Sequence, residues 1–336
     1  MNRSIEKIIH AINKKYGEGT IVVGNHNNIS VERVSSGIVA LDLVLGLGIP
    51  RSSIIMFYGR ESSAKSSVAL KIISEYQRRN ELCAYIDVEH SLNADWAEKL
   101  GVDLNSLIIS QPDSLEKSID IVDSLTRSKE CGLIVYDSLA MAVPDEELEK
   151  SAFDQQMALN ARLNSKLCRK LISALQPSNL SDKTTYNKTT VLLINQVRED
   201  VGKPYARGYT YSGGHALRHS SHIIVDFTRG EFIKDKNQDP IGLEVKFKTV
   251  KNKTWYPYKI GMIKLYFDGS IDNNETIIVA AKKLGIIKQH GPMYEYDSIK
   301  EKGFDNFIAQ ILERSLLNGI LEKVYNYYKR EEIWYE

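Results

Sequence analysis

The sequence has few cysteines, no long apolar run and almost no net charge, and each absence excludes a class of protein. Its three cysteines, Cys83, Cys131 and Cys168, form no C-x-x-C pair, which argues against a disulfide framework and favours buried thiols in a reducing compartment. No apolar run approaches the roughly 20 residues of a membrane span, and residues 1–10 lack the pattern of a signal peptide. We therefore expect a cytoplasmic protein that makes no membrane contact.

The balance of charge gives no global attraction to nucleic acid. Lysine and arginine total 44 residues against 43 aspartates and glutamates, so the formal net charge is +1. Any nucleic-acid site must therefore be a local patch. The chain has 336 residues, 43% of them hydrophobic, which is enough for one large core and a smaller appended domain.

The most informative segment is residues 54–76, IIMFYGRESSAKSSVALKIISEY. A β-branched and aromatic run ends at Gly59, a polar loop follows, and Lys65 and Ser66 open a helical pattern, which is the context of a phosphate-binding P-loop. Lys65 would reach the β- and γ-phosphates, and Ser66 would ligate Mg²⁺. Ala64 stands at the usual second glycine of the motif and costs about 1 kcal/mol if that position needs a positive φ.

Strands and helices alternate from about residue 30. Apolar runs predict strands and amphipathic segments predict helices, namely strands at 82–90, 107–110, 132–138 and 191–196 and helices at 93–102, 114–128 and 155–175. This alternation is typical of an α/β fold with a largely parallel sheet. Ligands in such sheets bind at the carboxyl ends of the strands, where Glu89, Asp137 and Gln196 fall. The sequence therefore predicts a ligand site formed by these three side chains beside the P-loop.

The two ends of the chain predict smaller units. Residues 4–15 form an amphipathic helix that docks either on its own core or on a second copy. Past about residue 268, helical patterns at 276–287 and 304–329 flank a turn and predict a small α+β domain. We expect three parts: an N-terminal oligomerisation helix and linker (1–29), a core (30–267) and a C-terminal domain (268–336).

Residues 197–214, VREDVGKPYARGYTYSGG, form a long polar segment. Loops of this length often carry function. The segment interleaves Lys203 and Arg207 with three tyrosines, and cations beside stacking rings are what a single-stranded nucleic-acid site needs. A solvated surface loop is the alternative.

Six segments resemble the RecA-type DNA recombinases in order and approximate spacing: GRESSAKSS, YIDVEHSLNADWAEKLGVD, LIVYDSLA, LLINQVR, SGGHALR and VKNK. The resemblance extends over nearly the whole chain. It implies a RecA-like P-loop ATPase core with a mostly parallel sheet, an N-terminal helix and a small α+β C-terminal domain. It also implies ATP and Mg²⁺ as cofactors, single-stranded and duplex DNA as partners, and a homo-oligomeric helical filament.

The resemblance assigns roles at the nucleotide site. The residues that cradle ATP are Gly59, Arg60, Glu61, Ser62, Ser63, Ala64, Lys65, Ser66 and Ser67. Glu89 matches the general base, and Gln196 matches the sensor that passes the state of the γ-phosphate to the loop beginning at Val197. Asp137 matches the acid that holds Mg²⁺ together with Ser66. Trp96 matches an aromatic that stacks on adenine.

Lys251 and Lys253, in VKNK, match lysines that reach the ATP of the adjacent subunit. Cations placed there stabilise the transferring phosphoryl group, so the resemblance implies that hydrolysis depends on polymer formation. Two lysines at this spacing on a strand are otherwise a solvated face.

The resemblance also assigns two loops to DNA. In the first, about 144–157, Met157 is placed to wedge between base triplets, and Arg162 and Arg169 on the following helix match phosphate-binding arginines. In the second, 197–214, the assigned residues are Arg198, Val201, Lys203, Arg207, Gly213 and Gly214, with Val201 as the second wedge. Phosphate contacts without base-edge readout predict salt-sensitive binding that is nearly independent of sequence.

We therefore expect an ATP-dependent homologous recombinase of DNA repair, with DNA-stimulated ATPase activity, that forms filaments on single-stranded DNA and catalyses homology search and strand exchange. One alternative is an ATP-gated DNA-binding filament or recombination mediator with little hydrolysis, which Ala64 motivates. A RecA-fold helicase or small-molecule kinase is a weaker alternative, since a kinase has no need for the basic tyrosine loop. Ala64, a longer stretch near 178–188 and the lack of a long acidic tail suggest a divergent member, with a phage origin as one alternative.

Overall fold

The computed structural model describes residues 3–24, 31–141, 143–144, 157–177, 179–199, 209–211 and 215–329, and of residues 157–158, 183, 198–199 and 209–211 it describes the backbone alone. The strands in chain order are β1 (Arg33–Val34), β2 (Ile49–Pro50), β3 (Ile54–Gly59), β4 (Leu82–Asp87), β5 (Leu107–Ser110), β6 (Cys131–Asp137), β7 (Thr190–Glu199), β8 (Tyr209–Tyr211), β9 (Ile223–Lys234), β10 (Pro240–Asn252), β11 (Ile260–Tyr266), β12 (Lys288–His290), β13 (Met293–Tyr296) and β14 (Ile299–Lys302). The helices are α1 (Arg3–Tyr16), α2 (Val39–Leu45), α3 (Lys65–Gln77), α4 (Ala94–Lys99), α5 (Leu115–Ser128), α6 (Met157–Leu175), α7 (His215–Ser220), α8 (Asn273–Lys283), α9 (Phe304–Glu313) and α10 (Leu317–Lys329). None of these helices is long and apolar enough to cross a membrane.

One large sheet organises the chain. Its strands follow the order β11-β10-β9-β3-β7-β6-β4-β5, with β8 folded back on β7. From β9 to β5 each neighbouring pair is parallel, whereas β10 and β11 are antiparallel additions. The register places Gly59 opposite Gln196 and Asp87 opposite Asp137. The carboxyl ends of these strands therefore meet at one edge of the sheet.

Helices cover both faces of the sheet. Every residue of β3 and β6 is buried, and strands covered on both sides read as continuous apolar runs. On one face Phe57 packs in a cluster with Ile72 of α3, and on the other Met56 packs in a cluster with Leu171 of α6. This arrangement confirms the predicted α/β class with a mostly parallel sheet.

Strands β9 to β11 lie outside the prediction, although they carry a sequence signal. In β10 the inward residues Val245, Phe247 and Thr249 alternate with lysines, which is the period of a half-buried antiparallel strand. Strands β10 and β11 lie at the edge of the sheet and lack the continuous buried runs that mark the central strands. Strand β9 lies between β3 and β10 and does begin with a buried apolar run, Ile223 to Val225, which the sequence prediction omits.

The structure corrects several predicted boundaries. The strand expected over 82–90 ends at Asp87, so Glu89 lies in the loop beyond it. The helix expected over 304–329 is two helices, which separate at Ser315, where φ is 55°. The loop expected over 197–214 begins as a hairpin, because β7 continues to Glu199 and β8 pairs with it. Residues 200–208 and 212–214 lie outside the described residues.

The C-terminal part forms a smaller layer. Strands β12, β13 and β14 make a three-stranded antiparallel sheet. Ile278 of α8, Phe307 of α9 and Ile320 of α10 form its core, and Val39 of α2 belongs to the same cluster. This layer therefore packs directly on the main body. The predicted division at residue 268 stays a prediction.

Candidate nucleotide site and nucleic-acid interface

The P-loop joins β3 to α3 at the carboxyl edge of the sheet. Gly59 ends β3 opposite Phe227 of β9, and a Cβ at this position would overlap the Phe227 carbonyl oxygen. The close approach of the two strands explains the glycine. The loop exposes Arg60 and Glu61, whereas Ser63 is buried and its hydroxyl donates to the Arg60 carbonyl (2.8 Å).

Ala64 adopts the left-handed conformation in which the motif usually has a glycine. Its φ is 64° and its ψ is 21°, and its carbonyl accepts the first hydrogen bond of α3, from the Val68 amide (3.0 Å). The left-handed region costs an L-residue about 1 kcal/mol or more. The loop therefore keeps its backbone path despite the missing glycine, at the expense of some stability.

The Lys65 side chain folds back over the loop. Its Nζ atom donates to the carbonyls of Gly59 (3.1 Å) and Arg60 (2.8 Å) and to the Ser63 hydroxyl (3.2 Å). Burial lowers the pKa of Lys65, and the nearby carboxylates, Asp137 foremost, oppose that shift. The amine thus lies at the centre of the loop, where a phosphate oxygen could replace the carbonyls as its partner.

Ser66 and Asp137 form a pair of oxygen donors beside the loop. The Asp137 carboxylate, at the end of β6, accepts hydrogen bonds from the Ser66 hydroxyl (2.6 Å) and the Tyr85 hydroxyl (2.6 Å). Burial raises the pKa of Asp137, while these hydrogen bonds lower it. Hydroxyl and carboxylate oxygens are ligands that Mg²⁺ takes, and the ion usually completes its shell with phosphates and water. Among the described residues no cluster of three or more His, Cys, Asp or Glu side chains offers a full protein cage for a metal.

Glu89 and Gln196 are brought together from different strands. Glu89 Oε1 accepts hydrogen bonds from Gln196 Nε2 (2.9 Å) and from the Ser138 hydroxyl. Within the part of the chain that the structure describes, no hydrogen bond is found to Glu89 Oε2. One oxygen is therefore held in place and the other is free to accept a proton.

The loop that carries Glu89 is held by Asp87. This buried carboxylate accepts the amides of Ser91 (3.1 Å) and Leu92 (3.2 Å) and the side chain of Gln111 (2.9 Å). Tyr85, Asp87, Gln111 and Ser138 are absent from the sequence prediction. Tyr85 and Asp87 carry one usable signal, since they are polar residues inside an apolar strand.

Trp96 lies beside the P-loop helix. Its amide is capped by the Asn93 side chain (2.8 Å), which begins α4, and its indole Nε1 donates to the Ser67 hydroxyl (3.1 Å). The half-buried ring packs against the main core cluster. The structure thus brings Trp96, Ser67 and the phosphate loop together, as the resemblance implies for an adenine-stacking ring.

Lys251 and Lys253 lie away from this site, at the edge of the sheet where the parallel strands begin. Lys251 pairs with Ile224, which pairs with Met56, so the lysine lies about 10 Å below the end of β3 and two strands away. The Lys251 amine donates to the carbonyls of Arg218 (2.5 Å) and His219 (3.0 Å), at the end of α7. The Lys253 amine donates to the same His219 carbonyl (3.3 Å).

The positions of these lysines have two consequences. Burial, followed by the charges of Lys253 and Arg218, lowers the pKa of Lys251 to about 8. Neither amine can reach a phosphate bound in the P-loop of its own chain, because a lysine side chain is much shorter than the separation.

A basic stripe runs along α6. Arg162 and Arg169 are exposed, and Lys166, which the sequence prediction omits, lies between them at the spacing of one helix face. All three line one shallow depression with Ser165. Three cations on one face form a local patch on a chain of net charge +1. In the sequence, Lys166 on its own does not indicate that it belongs to a basic patch.

Most of the other residues assigned to DNA lie outside the described residues or are described by their backbone alone. Met157 begins α6 and Arg198 lies in β7, both described by backbone alone. Val201, Lys203, Arg207, Gly213 and Gly214 lie outside the described residues. Most of the first loop, 145–156, does so too. The structure therefore brings the nucleotide residues together, and of the DNA residues it shows the side chains on α6.

Comparison with known proteins agrees with this geometry. The family model of the RecA N-terminal domain matches residues 3–272. The chain is 35% identical over 325 residues to Protein RecA of Rickettsia prowazekii (strain Madrid E), covering 96% of the chain and 93% of that protein. It is 36% identical over 323 residues to Protein RecA of Arthrospira platensis, covering 96% of the chain and 86% of that protein. The chain belongs to the RecA family of recombinases.

Proposed function

We propose that this protein uses ATP to polymerise on single-stranded DNA and to exchange that strand with a homologous duplex. The observation that carries the proposal is the hydrogen bond between Gln196 Nε2 and Glu89 Oε1 (2.9 Å). Gln196 lies in β7, whose last residues, Val197 to Glu199, lead into the segment expected to bind DNA. A nucleotide that changes the Gln196 contact would thereby change the grip on DNA.

Lys65, Ser66 and Asp137 would hold the triphosphate and its Mg²⁺. The Lys65 amine would exchange its carbonyl partners for phosphate oxygens, and the Ser66 and Asp137 oxygens suit a hard cation. Mg²⁺ supplies charge neutralisation at the β- and γ-phosphates. Trp96 would stack on the adenine ring.

Glu89 would act as the general base for an attacking water. Its two neighbours donate to Oε1, which fixes the carboxylate and leaves Oε2 to accept the proton. General-base assistance of this kind typically contributes about 10²–10⁴-fold. Gln196 would sense the γ-phosphate and pass its state to the segment that follows β7.

Lys251 and Lys253 would act on the nucleotide of a second protomer. Their place at the edge opposite the P-loop rules out their own chain's phosphates, whereas a protomer stacked below would bring its P-loop edge to them. Cations there would stabilise charge on the transferring phosphoryl group. Hydrolysis would then require assembly.

The stripe of Arg162, Lys166 and Arg169 would bind DNA phosphates. Such contacts fix the position of the strand without reading its sequence, and they release counterions, so binding weakens with salt. A recombinase that must accept any sequence needs this kind of contact.

Glu89→Gln is the direct test, because the amide keeps the shape of the carboxylate and loses its basicity. We expect phosphate release with saturating single-stranded DNA to fall about 100-fold or more, while electron micrographs still show filaments with ATP. Glu98→Gln, at an exposed position of α4, is the matched control and should keep full activity. Loss of filaments together with activity in Glu89→Gln would contradict the assigned role.

A second candidate function is an ATP-gated filament that hydrolyses little. The left-handed Ala64 favours it, because this residue stands where the motif usually has a glycine and its strain lies within the loop that would hold the phosphates. Phosphate release by the unmodified protein with saturating single-stranded DNA separates the two candidates. Filaments with negligible release would favour the second.

A further inference from the structure

The N-terminal arm, residues 3–24, contributes little to its own core. Its helix α1 exposes Ile5 (46%) and Ile8 (56%), and the residue that it buries is the polar Asn13. An amphipathic helix whose apolar face remains in water lacks the packing that normally stabilises helices. Something other than apolar contact must therefore hold the arm in place.

The base of the arm is a hydrogen-bonded hook. The Asn13 side chain donates to the Ile21 carbonyl (3.1 Å) and accepts from the Ile21 amide (3.0 Å). The Gly17 amide bonds the Asn13 carbonyl (2.8 Å), which ends the helix. The chain thus reverses between Asn13 and Ile21 and presents Gly19 on the outside of the bend.

A surface segment of the same chain, residues 179–186, contacts this hook. The Leu180 amide donates to the Gly19 carbonyl (3.0 Å). Gly19 has a φ of 78°, and a Cβ there would overlap the Asn179 side chain. Glycine is therefore required at position 19 both by its conformation and by the close approach of Asn179.

The segment is itself fastened to the core. Where it ends, the buried Asn187 donates to the carbonyls of Thr126 (2.7 Å) and Ala174 (2.9 Å), on α5 and α6. Just before this end the Lys129 amine donates to the Thr185 carbonyl (3.1 Å). The segment can therefore transmit a fixed position from the core to the arm.

We propose that residues 179–186 are an anchor that sets the direction in which α1 leaves its own core, so that the face of Ile5 and Ile8 meets a second copy of the chain. A second copy is the occupant because the role proposed for Lys251 and Lys253 places a neighbouring protomer against this chain. The role in assembly rests on the proposed filament. The contact between arm and anchor does not.

Hydrogen exchange of the Leu180 amide in the free protein tests the contact. In Gly19→Ala the added Cβ and the positive φ should open it, and we expect the Leu180 amide to exchange about tenfold faster. Gly24→Ala is the matched control, because a Cβ there has no atom within 4 Å, and it should leave the exchange unchanged. Adding Asn179→Ala to Gly19→Ala removes the overlapping side chain and should restore part of the protection.

Assembly on oligo(dT) with a non-hydrolysable ATP analogue tests the role. We expect Gly19→Ala to raise the protein concentration needed for half-assembly about fivefold or more, with Gly24→Ala unchanged and the double variant between them. Equal Leu180 exchange in all variants would overturn the anchor contact. Faster exchange with unchanged assembly would overturn its role and leave the filament standing. Failure of the unmodified protein to assemble at all would overturn the filament and the arm's part in it.

Discussion

At the residue scale, Ala64 shows how a fold tolerates a substitution in its most constrained turn. The backbone keeps φ at 64°, where the side chain is unfavourable, because β3 and α3 are both fixed by buried contacts. The strain is local and does not move Lys65 away from the loop.

We expect Ala64→Gly to stabilise the protein. Removing the strain gains about 1–2 kcal/mol, and the greater freedom of glycine in the unfolded chain offsets about 0.4–1 kcal/mol of it. Urea unfolding should therefore give a free energy of unfolding higher by up to about 1.6 kcal/mol. Ala69→Gly, inside α3, should instead destabilise. A loss of stability in Ala64→Gly would show that position 64 is not strained.

Lys251 predicts a pH dependence of stability in the free protein. Its pKa is lowered to about 8, against about 10.4 for an unfolded lysine. Between these values the unfolded chain binds more protons, so the contribution of this residue to stability rises with pH. Lys251→Arg stays charged throughout and should lack that rise. Urea midpoints measured at about pH 7.5 and about pH 9.5 give the rise in stability for each protein. An equal rise in both proteins would contradict the lowered pKa of Lys251.

At the element scale, the central strands could be predicted and the edge strands could not. Strands β3 and β6 are buried on both faces and read as unbroken apolar runs. In β10, buried residues alternate with lysines, and solvated segments of a sequence are also rich in lysine. The same reasoning places Glu89, Asp137 and Gln196 at one edge. It does not find Tyr85 or the anchor at residues 179–186, because their partners are distant in sequence.

The stripe on α6 gives a prediction for DNA binding. Lys166→Ala should remove one phosphate contact, so the slope of log affinity for single-stranded DNA against log salt should become shallower by about 0.7. Lys170→Ala is the control on the same helix, since the Lys170 amine is paired with Asp120 (2.8 Å) and Asp123 (3.1 Å). Fluorescence titration at several salt concentrations measures both slopes. Equal slopes for Lys166→Ala and the unmodified protein would remove Lys166 from the DNA surface.

At the scale of the whole molecule, a buried carboxylate joins the main body to the C-terminal helix α10. Asp42 accepts hydrogen bonds from the hydroxyls of Ser35 (2.6 Å), Ser36 (2.6 Å) and Tyr325 (3.2 Å). Burial raises the pKa of Asp42, and the hydrogen bonds oppose that shift. The Tyr325 contact therefore couples the C-terminal layer to the stability of the core.

We expect Tyr325→Phe to lower the free energy of unfolding by about 1 kcal/mol, because a buried carboxylate loses a donor. Tyr327→Phe, on the same helix, is the control, since its hydroxyl has no hydrogen bond to any residue that the structure describes. Urea unfolding compares the two. An unchanged midpoint in Tyr325→Phe would mean that Ser35 and Ser36 alone satisfy the acid.

The position of Lys251 and Lys253 opposite the phosphate loop has a numerical consequence for short rows of protomers. If each catalytic centre is completed by one neighbour, then the terminal unit of any row is always idle. Turnover averaged over the row starts at nothing for a lone molecule, reaches half its ceiling for a pair, and approaches the ceiling only as the row lengthens. The number of protomers in a row would then set the average rate of ATP hydrolysis per protomer, without any separate regulator.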